Sequence, residues 1–339
     1  MILNSFDFQL PSELIAKVPL VDRKSSRLLT FKRSENVIRD HICQDLVDLL
    51  GPDDVLVFND TKVMKGRFYV QKKTGAHIEF LMLRPIHDDI WVVLAKPSKR
   101  LKVGDQLFIQ PDIFFTVIQK NGPYVHLQLP GHLTAFELME KYGYTPLPPY
   151  LKHKKNNDYH DLYQTPFAEK LGAVAAPTAG RHFSLDLIDA LKAKGVGIIY
   201  LTLHIGYGTF EPLKPSHFET QKLHLEQYFI SKTSCSLLNE AYGEKRLIAV
   251  GTTVIRALES NFKDQRFHHG PFETDLFIMP GYSFQCVDAI ITNFHLPKSS
   301  LFILISSFLG TDYLHSLYQH AINQKYRFYS FGDAMFISP

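Results

Sequence analysis

The chain is poor in cysteine and tryptophan, with three of the former and one of the latter in 339 residues. Cys43, Cys235 and Cys286 stand alone, without paired spacing. That argues against a disulfide framework, a zinc ribbon and a cysteine-ligated iron–sulfur cluster, and leaves the three as small buried hydrophobes. No long apolar run is present. The longest, Leu301 to Leu309, is interrupted by Ser306 and Ser307 and falls far short of the roughly 20 residues that span a bilayer. The opening MILNSFDFQLPSEL has neither the basic start nor the apolar core of a signal peptide. A cytoplasmic chain with no membrane attachment is therefore expected. Nor does one sign of charge dominate. Lys and Arg total 37, Asp and Glu 34, for a net charge of +3. Any nucleic-acid partner must then be met by a local patch. What remains is an ordinary globular balance, 45% hydrophobic and 21% charged, at a length that suggests about two domains.

Two textures divide the chain. Residues 66 to 129 read as all-β. Arg67 to Gln71 and His77 to Leu83 flank the turn KKTG, WVVLA and QLFIQ are short β-rich runs, and FFTVIQKNGPYVHLQL is a hairpin turning at Asn121-Gly122. Short strands so closely spaced predict a small barrel or sandwich. A helix over about Leu133 to Lys141 follows, then the proline-stiffened, basic linker TPLPPYLKHKKNND. From residue 172 strands and helices alternate: GAVAAP, GIIYLTLHI, EQYFIS, RLIAVG, TDLFIM and DAIITNF as strands, SLDLIDALKAKG (capped by Ser184), about 233 to 242 and TTVIRALESNF as helices, and two helices closing the chain. Strands apolar throughout suit a parallel sheet buried on both faces. The fold class expected is α/β, with an open βα barrel-like large domain (1–60 and 151–339, the first part supplying the strand DVLVFND) and an inserted small all-β barrel domain (61–150).

In such folds ligands gather at the carboxyl ends of the strands. Small, hydroxylic and ionisable residues recur there. Asn59 and Asp60 follow DVLVF; Thr178 and His182 follow AVAA; His204, Gly206, Gly208 and Thr209 follow IIYLTL; Thr252, Thr253 and Arg256 follow LIAV; Asn293, His295, Lys298 and Ser299 follow DAIIT. A shared pocket explains them together. Helix capping is the competing account of Thr252, Thr253 and Ser299, close backbone packing that of Gly206 and Gly208, and an exposed helical pair that of Arg256 with Glu259. Two basic stretches add Lys96, Lys99, Arg100 and Lys102 in KPSKRLK, and Lys152, Lys154 and Lys155 in LKHKKNN. They read as solvated loops or as a phosphate grip flanking a cleft.

LVFNDTKV, AAPTAGRHF, LTLHIGYGTFEP, IAVGTTVIRALES, ITNFHLPKSSL and YRFYSFGDAM, with the opening FDFQLPSELIAKVPLVDRKSSRLL, resemble the motif series of the S-adenosylmethionine:tRNA ribosyltransferase-isomerase family of queuosine biosynthesis. The resemblance runs from residue 6 to 337. It implies transfer and isomerisation of the ribosyl part of S-adenosylmethionine onto 7-aminomethyl-7-deazaguanine at the wobble position of tRNA, giving epoxyqueuosine, adenine and methionine. S-adenosylmethionine is then a consumed substrate, with no cofactor or metal. The anticodon stem-loop of tRNA is the macromolecular partner, and the protein itself a monomer. Arg181, Leu223, Leu225, Val254 and Ile255 depart from the family's usual residues, whereas His224 and Glu226 are retained.

Such chemistry needs a base to take a C5′ proton beside the sulfonium, an acid or cation near the departing adenine, and a neutral attacking amine. His182, His204 and His295 are the candidates for base and acid, with Glu226 balancing the sulfonium or accepting the amine proton. Arg256, Asn293, Thr252 and Thr253 suit the methionine carboxylate, and Lys298 adenine or a tRNA phosphate. Two other readings compete. A metal-dependent hydrolase would use His182, His204, His224 and Glu226 as zinc ligands, though no His-x-His pair supports it. A non-catalytic tRNA-binding protein would need only the basic patches.

Overall fold

The structure, a computed structural model, describes residues 2–20, 22–148, 150–151 and 159–338. Lys152, Lys154 and Lys155 lie outside the described residues. A hairpin of β1 (Arg27–Lys32) and β2 (Val37–Ile42) comes first, then α1 (Leu46–Leu49) and β3 (Asp54–Asn59). The short β4 (Thr61–Val63) leads into six antiparallel strands: β5 (Arg67–Lys72), β6 (His77–His87), β7 (Ile90–Lys96), β8 (Gln106–Gln110), β9 (Ile113–Asn121) and β10 (Tyr124–Gln128). These close into a barrel in the order β10-β7-β6-β5-β8-β9. Alternation builds its interior. Along β9, Ile113, Phe115 and Val117 point inward while the residues between them do not. Phe68, Phe80 and Phe115 meet at its centre with ring centroids 5.0–5.5 Å apart. α2 (Ala135–Tyr142), opened by the Thr134–Glu137 capping box, packs on this core through Ala135, Leu138 and Met139.

β11 (Lys170–Ala173) pairs only with β4, in a separate two-stranded sheet. The run GAVAAP is thus a strand only as far as Ala173, because the chain turns at Pro177 into a short 3-10 helix, Thr178–His182. The rest follows as α3 (Leu185–Ala193), β12 (Gly197–Leu203), α4 (Pro215–Thr220), β13 (Lys222–Ile230), α5 (Lys232–Ala241), β14 (Arg246–Val250), α6 (Thr252–Asn261), β15 (Gly270–Leu276), β16 (Ala289–Asn293), α7 (Ser300–Leu309), α8 (Thr311–Asn323) and β17 (Ala334–Ser338). Ser184 caps α3 as expected, its hydroxyl accepting from the Leu187 N–H at 3.2 Å.

Nine strands form the large sheet, in the order β15-β13-β12-β3-β14-β16-β17-β1-β2. Its centre, β12-β3-β14-β16, is parallel, and β3 is buried at all six positions. Val55 and Val57 face a layer built by α5 to α8, while Leu56 and Phe58 face α1 and α3. Both flanks turn antiparallel, so the fold is mixed rather than wholly parallel. Two strand expectations shift. TDLFIM is replaced by Gly270–Leu276, an outer strand whose burial alternates, and a final strand, β17, follows the two closing helices. The three cysteines are buried and free.

Candidate active site

Because β12, β3, β14 and β16 run parallel, their carboxyl ends face the same way. Beside them lies a cavity of about 490 Å³, within the size range of small-molecule sites. Of the residues picked out in the sequence, Thr178, Gly208, Thr209, Glu226, Thr252, Thr253, Arg256, Asn293, His295, Lys298 and Ser299 line it. His182, His204, Asn59, Asp60 and Gly206 do not. Each of these is tied down behind or beside it.

Asn59 joins β3 to β12: its side chain donates to the Leu203 carbonyl at 3.0 Å and accepts from the Leu203 N–H at 2.9 Å. Its Nδ2 also lies 3.4 Å from Thr253 Oγ1. Asp60 accepts from the Thr202 hydroxyl at 2.6 Å, and burial raises its pKa above the ordinary carboxylate value. His204 shares a 2.8 Å hydrogen bond with Thr61 and opens on a separate, shallower pocket with Gln227 and Phe272. Burial lowers its pKa.

A chain of side chains runs from the cavity wall inward. The Thr178 hydroxyl donates to Asn293 Oδ1 at 2.9 Å, and Asn293 Nδ2 donates to His182 Nε2 at 2.9 Å. His182 is 3% exposed, and burial, aided by the nearby Arg181, Arg23 and Arg327 guanidiniums, pushes its pKa down to about 3. Arg181 itself stacks on Phe331 at 4.5 Å and donates to the Leu162 and Ser330 carbonyls, which accounts structurally for a cation at that position. His295 is 6% exposed; its Nε2 is 3.0 Å from the Thr292 hydroxyl, and its backbone N–H donates to the Tyr318 hydroxyl at 2.8 Å. Burial alone takes its pKa down to about 3. Both imidazoles are therefore neutral near pH 7.

Glu226 is the buried carboxylate of the cavity. Arg256 Nη1 donates to its Oε2, and the Gly206 N–H donates to Oε1 at 3.1 Å. Arg256 also donates to the Leu276 carbonyl at 2.9 Å, so its partner is not Glu259. That carboxylate instead accepts from the N–H groups of Gln285, Cys286 and Val287. α6 begins at the cavity. Its N-cap is Gly251, at φ +97°, a conformation that favours glycine, and no side chain caps the helix. The Thr252 and Thr253 hydroxyls are thus not spent as caps. Ser299 is: it accepts from the Phe302 N–H at 3.2 Å and donates to the Leu296 carbonyl at 2.8 Å. Lys298 pairs with Asp7 at 2.6 Å.

Glu211 and His217, which complete the mouth beside His224, were not among the expected site residues. They flank the prolines Pro212 and Pro215 in a segment without periodicity. Thr292 was visible only as the polar end of an apolar run. Lys96, Lys99, Arg100 and Lys102 are exposed on the barrel, and among the described residues none of the four is ion-paired. Nor, among the described residues, do three or more His, Cys, Asp or Glu side chains converge on a possible metal position. The four-residue zinc set is not assembled.

A family model described as queuosine biosynthesis protein matches residues 3–337. The chain is 44% identical over 339 residues to the S-adenosylmethionine:tRNA ribosyltransferase-isomerase of Sulfurihydrogenibium sp., covering 99% of this chain and 100% of that one. It is 44% identical to the protein of the same name from Herminiimonas arsenicoxydans, over 99% of this chain and 98% of that one. The crystal structure of the S-adenosylmethionine tRNA ribosyltransferase from Thermotoga maritima superposes with a TM-score of 0.56 at 31% identity, over 98% of this chain and 99% of that one.

Proposed function

The chain belongs to the queuosine biosynthesis protein family, and we propose that it is a tRNA ribosyltransferase-isomerase that consumes S-adenosylmethionine. The finer reading is transfer and isomerisation of the ribosyl moiety onto 7-aminomethyl-7-deazaguanine at the tRNA wobble position. Epoxyqueuosine forms, and adenine and methionine leave. One observation carries this: a single cavity combines a buried, arginine-held carboxylate with an uncapped helix N-terminus. S-adenosylmethionine needs both, because it carries a sulfonium and a carboxylate.

Glu226 places negative charge where the sulfonium would sit. The α6 N–H groups and the Thr252 and Thr253 hydroxyls face the methionine carboxylate. Thr178, its proton committed to Asn293, offers lone pairs to the ribose hydroxyls. His295 is the histidine of the predicted set that reaches the cavity; as a neutral imidazole it hydrogen-bonds rather than donating a proton to solvent-like partners. His182 acts through Asn293, so it is a positioning residue. The exposed cations Lys96, Lys99, Arg100 and Lys102 are assigned to the anticodon stem-loop. No cofactor is assigned.

The test is release of adenine from S-adenosylmethionine by the purified chain. Adenine and methionine should appear in equal amounts, and only with tRNA carrying the aminomethyl-deazaguanine. No adenine with that tRNA would refute the activity, and release without any tRNA would refute the acceptor.

A further inference from the structure

The reaction proposed above needs a base that the buried histidines do not supply. An aminomethyl group is largely an ammonium at neutral pH, and it attacks only once its nitrogen lone pair is free. His182 and His295, held neutral deep in the structure, are very weak bases, and each already has a hydrogen-bond partner. The acceptor base must also enter from outside, so the group that receives its proton belongs at the cavity mouth.

We propose that His224 is this base and that Glu211 positions it, an inference that rests on the activity proposed above. His224 lies on β13 two residues before Glu226 and lines the cavity with its side chain 40% exposed. Its ring fills the space above Gly208, where a Cβ would overlap it, so any other residue at 208 would displace the imidazole. The His217 ring meets it edge-on at 5.6 Å. His224 Nε2 is buried 3.3 Å from Glu211 Oε2 without an aligned hydrogen bond. A small rotation closes that bond and leaves Nδ1 for the substrate.

Glu211 is itself anchored. Lys214 Nζ is 3.6 Å from its Oε2, and the Tyr124 hydroxyl of barrel strand β10 donates to Oε1 at 3.1 Å. The barrel thus reaches the site through the Tyr124 hydroxyl. The remaining charged groups on the elements around His224 are Glu226 with Arg256, Lys222, paired with Asp275 at 2.7 Å, Glu219 on α4, and Glu273 on β15, which accepts from Gln227 at 3.4 Å. In the step itself an ammonium N–H bond breaks and an Nδ1–H bond forms. The electron pair stays on the amine nitrogen, ready to attack the ribosyl carbon, and Glu211 balances the imidazolium. Nothing is oxidised or reduced.

Single-turnover rates with aminomethyl-deazaguanine tRNA, followed from neutral to alkaline pH, test this. His224→Ala should be roughly 100-fold slower or more at neutral pH. It should approach the unsubstituted rate as pH rises and the amine deprotonates unaided, and added imidazole should restore part of the loss. S-adenosylmethionine affinity, measured calorimetrically, should not change. Glu211→Gln should give an intermediate loss and no further loss in the His224→Ala background. A His224→Ala chain with the unsubstituted rate and pH profile, or one slowed equally at every pH, would overturn the assignment alone. An unsubstituted chain that releases no adenine would instead overturn the activity beneath it.

Discussion

The barrel and the nine-stranded sheet are both built from β-strands, yet they bury different things. The barrel interior is filled by Phe68, Phe80, Phe115 and aliphatic neighbours, with its charges outside. Closure leaves no strand edge and no room for a ligand at this strand number. The sheet buries Asn59, Asp60, Thr252, Thr292, Asn293 and His295 at or next to strand ends. Each of these polar groups costs free energy unless it is partnered; bonds across neighbouring strands partner Asn59 and Asp60, His182 partners Asn293, and Thr292 partners His295. The difference separates two tasks: the barrel presents an outer surface, the sheet an inner chemistry.

The sharpest way to break that contrast is within the buried ion pair. Arg256→Met leaves Glu226 buried without its cation and should cost about 3–5 kcal/mol in stability, with loss of S-adenosylmethionine binding by calorimetry. Phe80→Ala in the barrel should cost a comparable 3–5 kcal/mol or so through its cavity, yet leave S-adenosylmethionine binding intact. Trp91, the sole tryptophan and part of the barrel core, reports barrel unfolding by fluorescence. If Phe80→Ala abolished S-adenosylmethionine binding, the division of tasks would be wrong.

A smaller effect concerns pH. His182 and His295 have folded pKa values of about 3, against roughly 6.5 when unfolded. Between those values the unfolded chain binds more protons. Stability is therefore full above about pH 6.5 and declines below it, by up to about 1.4 kcal/mol per pH unit for each histidine. Urea titrations from neutral to mildly acidic pH should show this slope, and His182→Gln and His295→Gln should each reduce it. The smallest effect falls on the surface. Changing Lys96, Lys99, Arg100 and Lys102 to Glu should raise the KM for tRNA and flatten its dependence on salt, while leaving S-adenosylmethionine affinity and the thermal midpoint unmoved. An unaltered salt dependence would remove the barrel loop from the tRNA interface.

Much of this could be read from residue order. β3, β12, β14 and β16 are apolar runs that end abruptly in polar residues, and that break in pattern marks both the strand and its functional end. Ser184 announced α3, and Asn121-Gly122 announced a barrel hairpin. The N-terminal hairpin and β17 were not foreseen, because β17 pairs with β1 across almost the whole chain and no local period encodes such pairing. Within the site, Thr178, Thr252, Asn293 and His295 were recognisable as strand-end residues. Which way a side chain turns was not. Arg256 has Glu259 one helical turn away, yet it reaches across to Glu226 on β13. His182 sits in a motif rich in small residues but points behind the cavity, towards Asn293.

The position of β17 carries a consequence for how the protein is made. Among the described strands it lies between β16 and β1, and through it the β1–β2 hairpin joins the rest of the sheet. On the ribosome the hairpin emerges long before its partner strand. Leu28, Leu29 and Phe31, buried in the finished molecule, must therefore wait for β17 with no sheet to join. The barrel, contiguous in sequence, has no such wait. Synthesis thus sets an order in which the barrel can be complete while the nine-stranded sheet is still open at one seam.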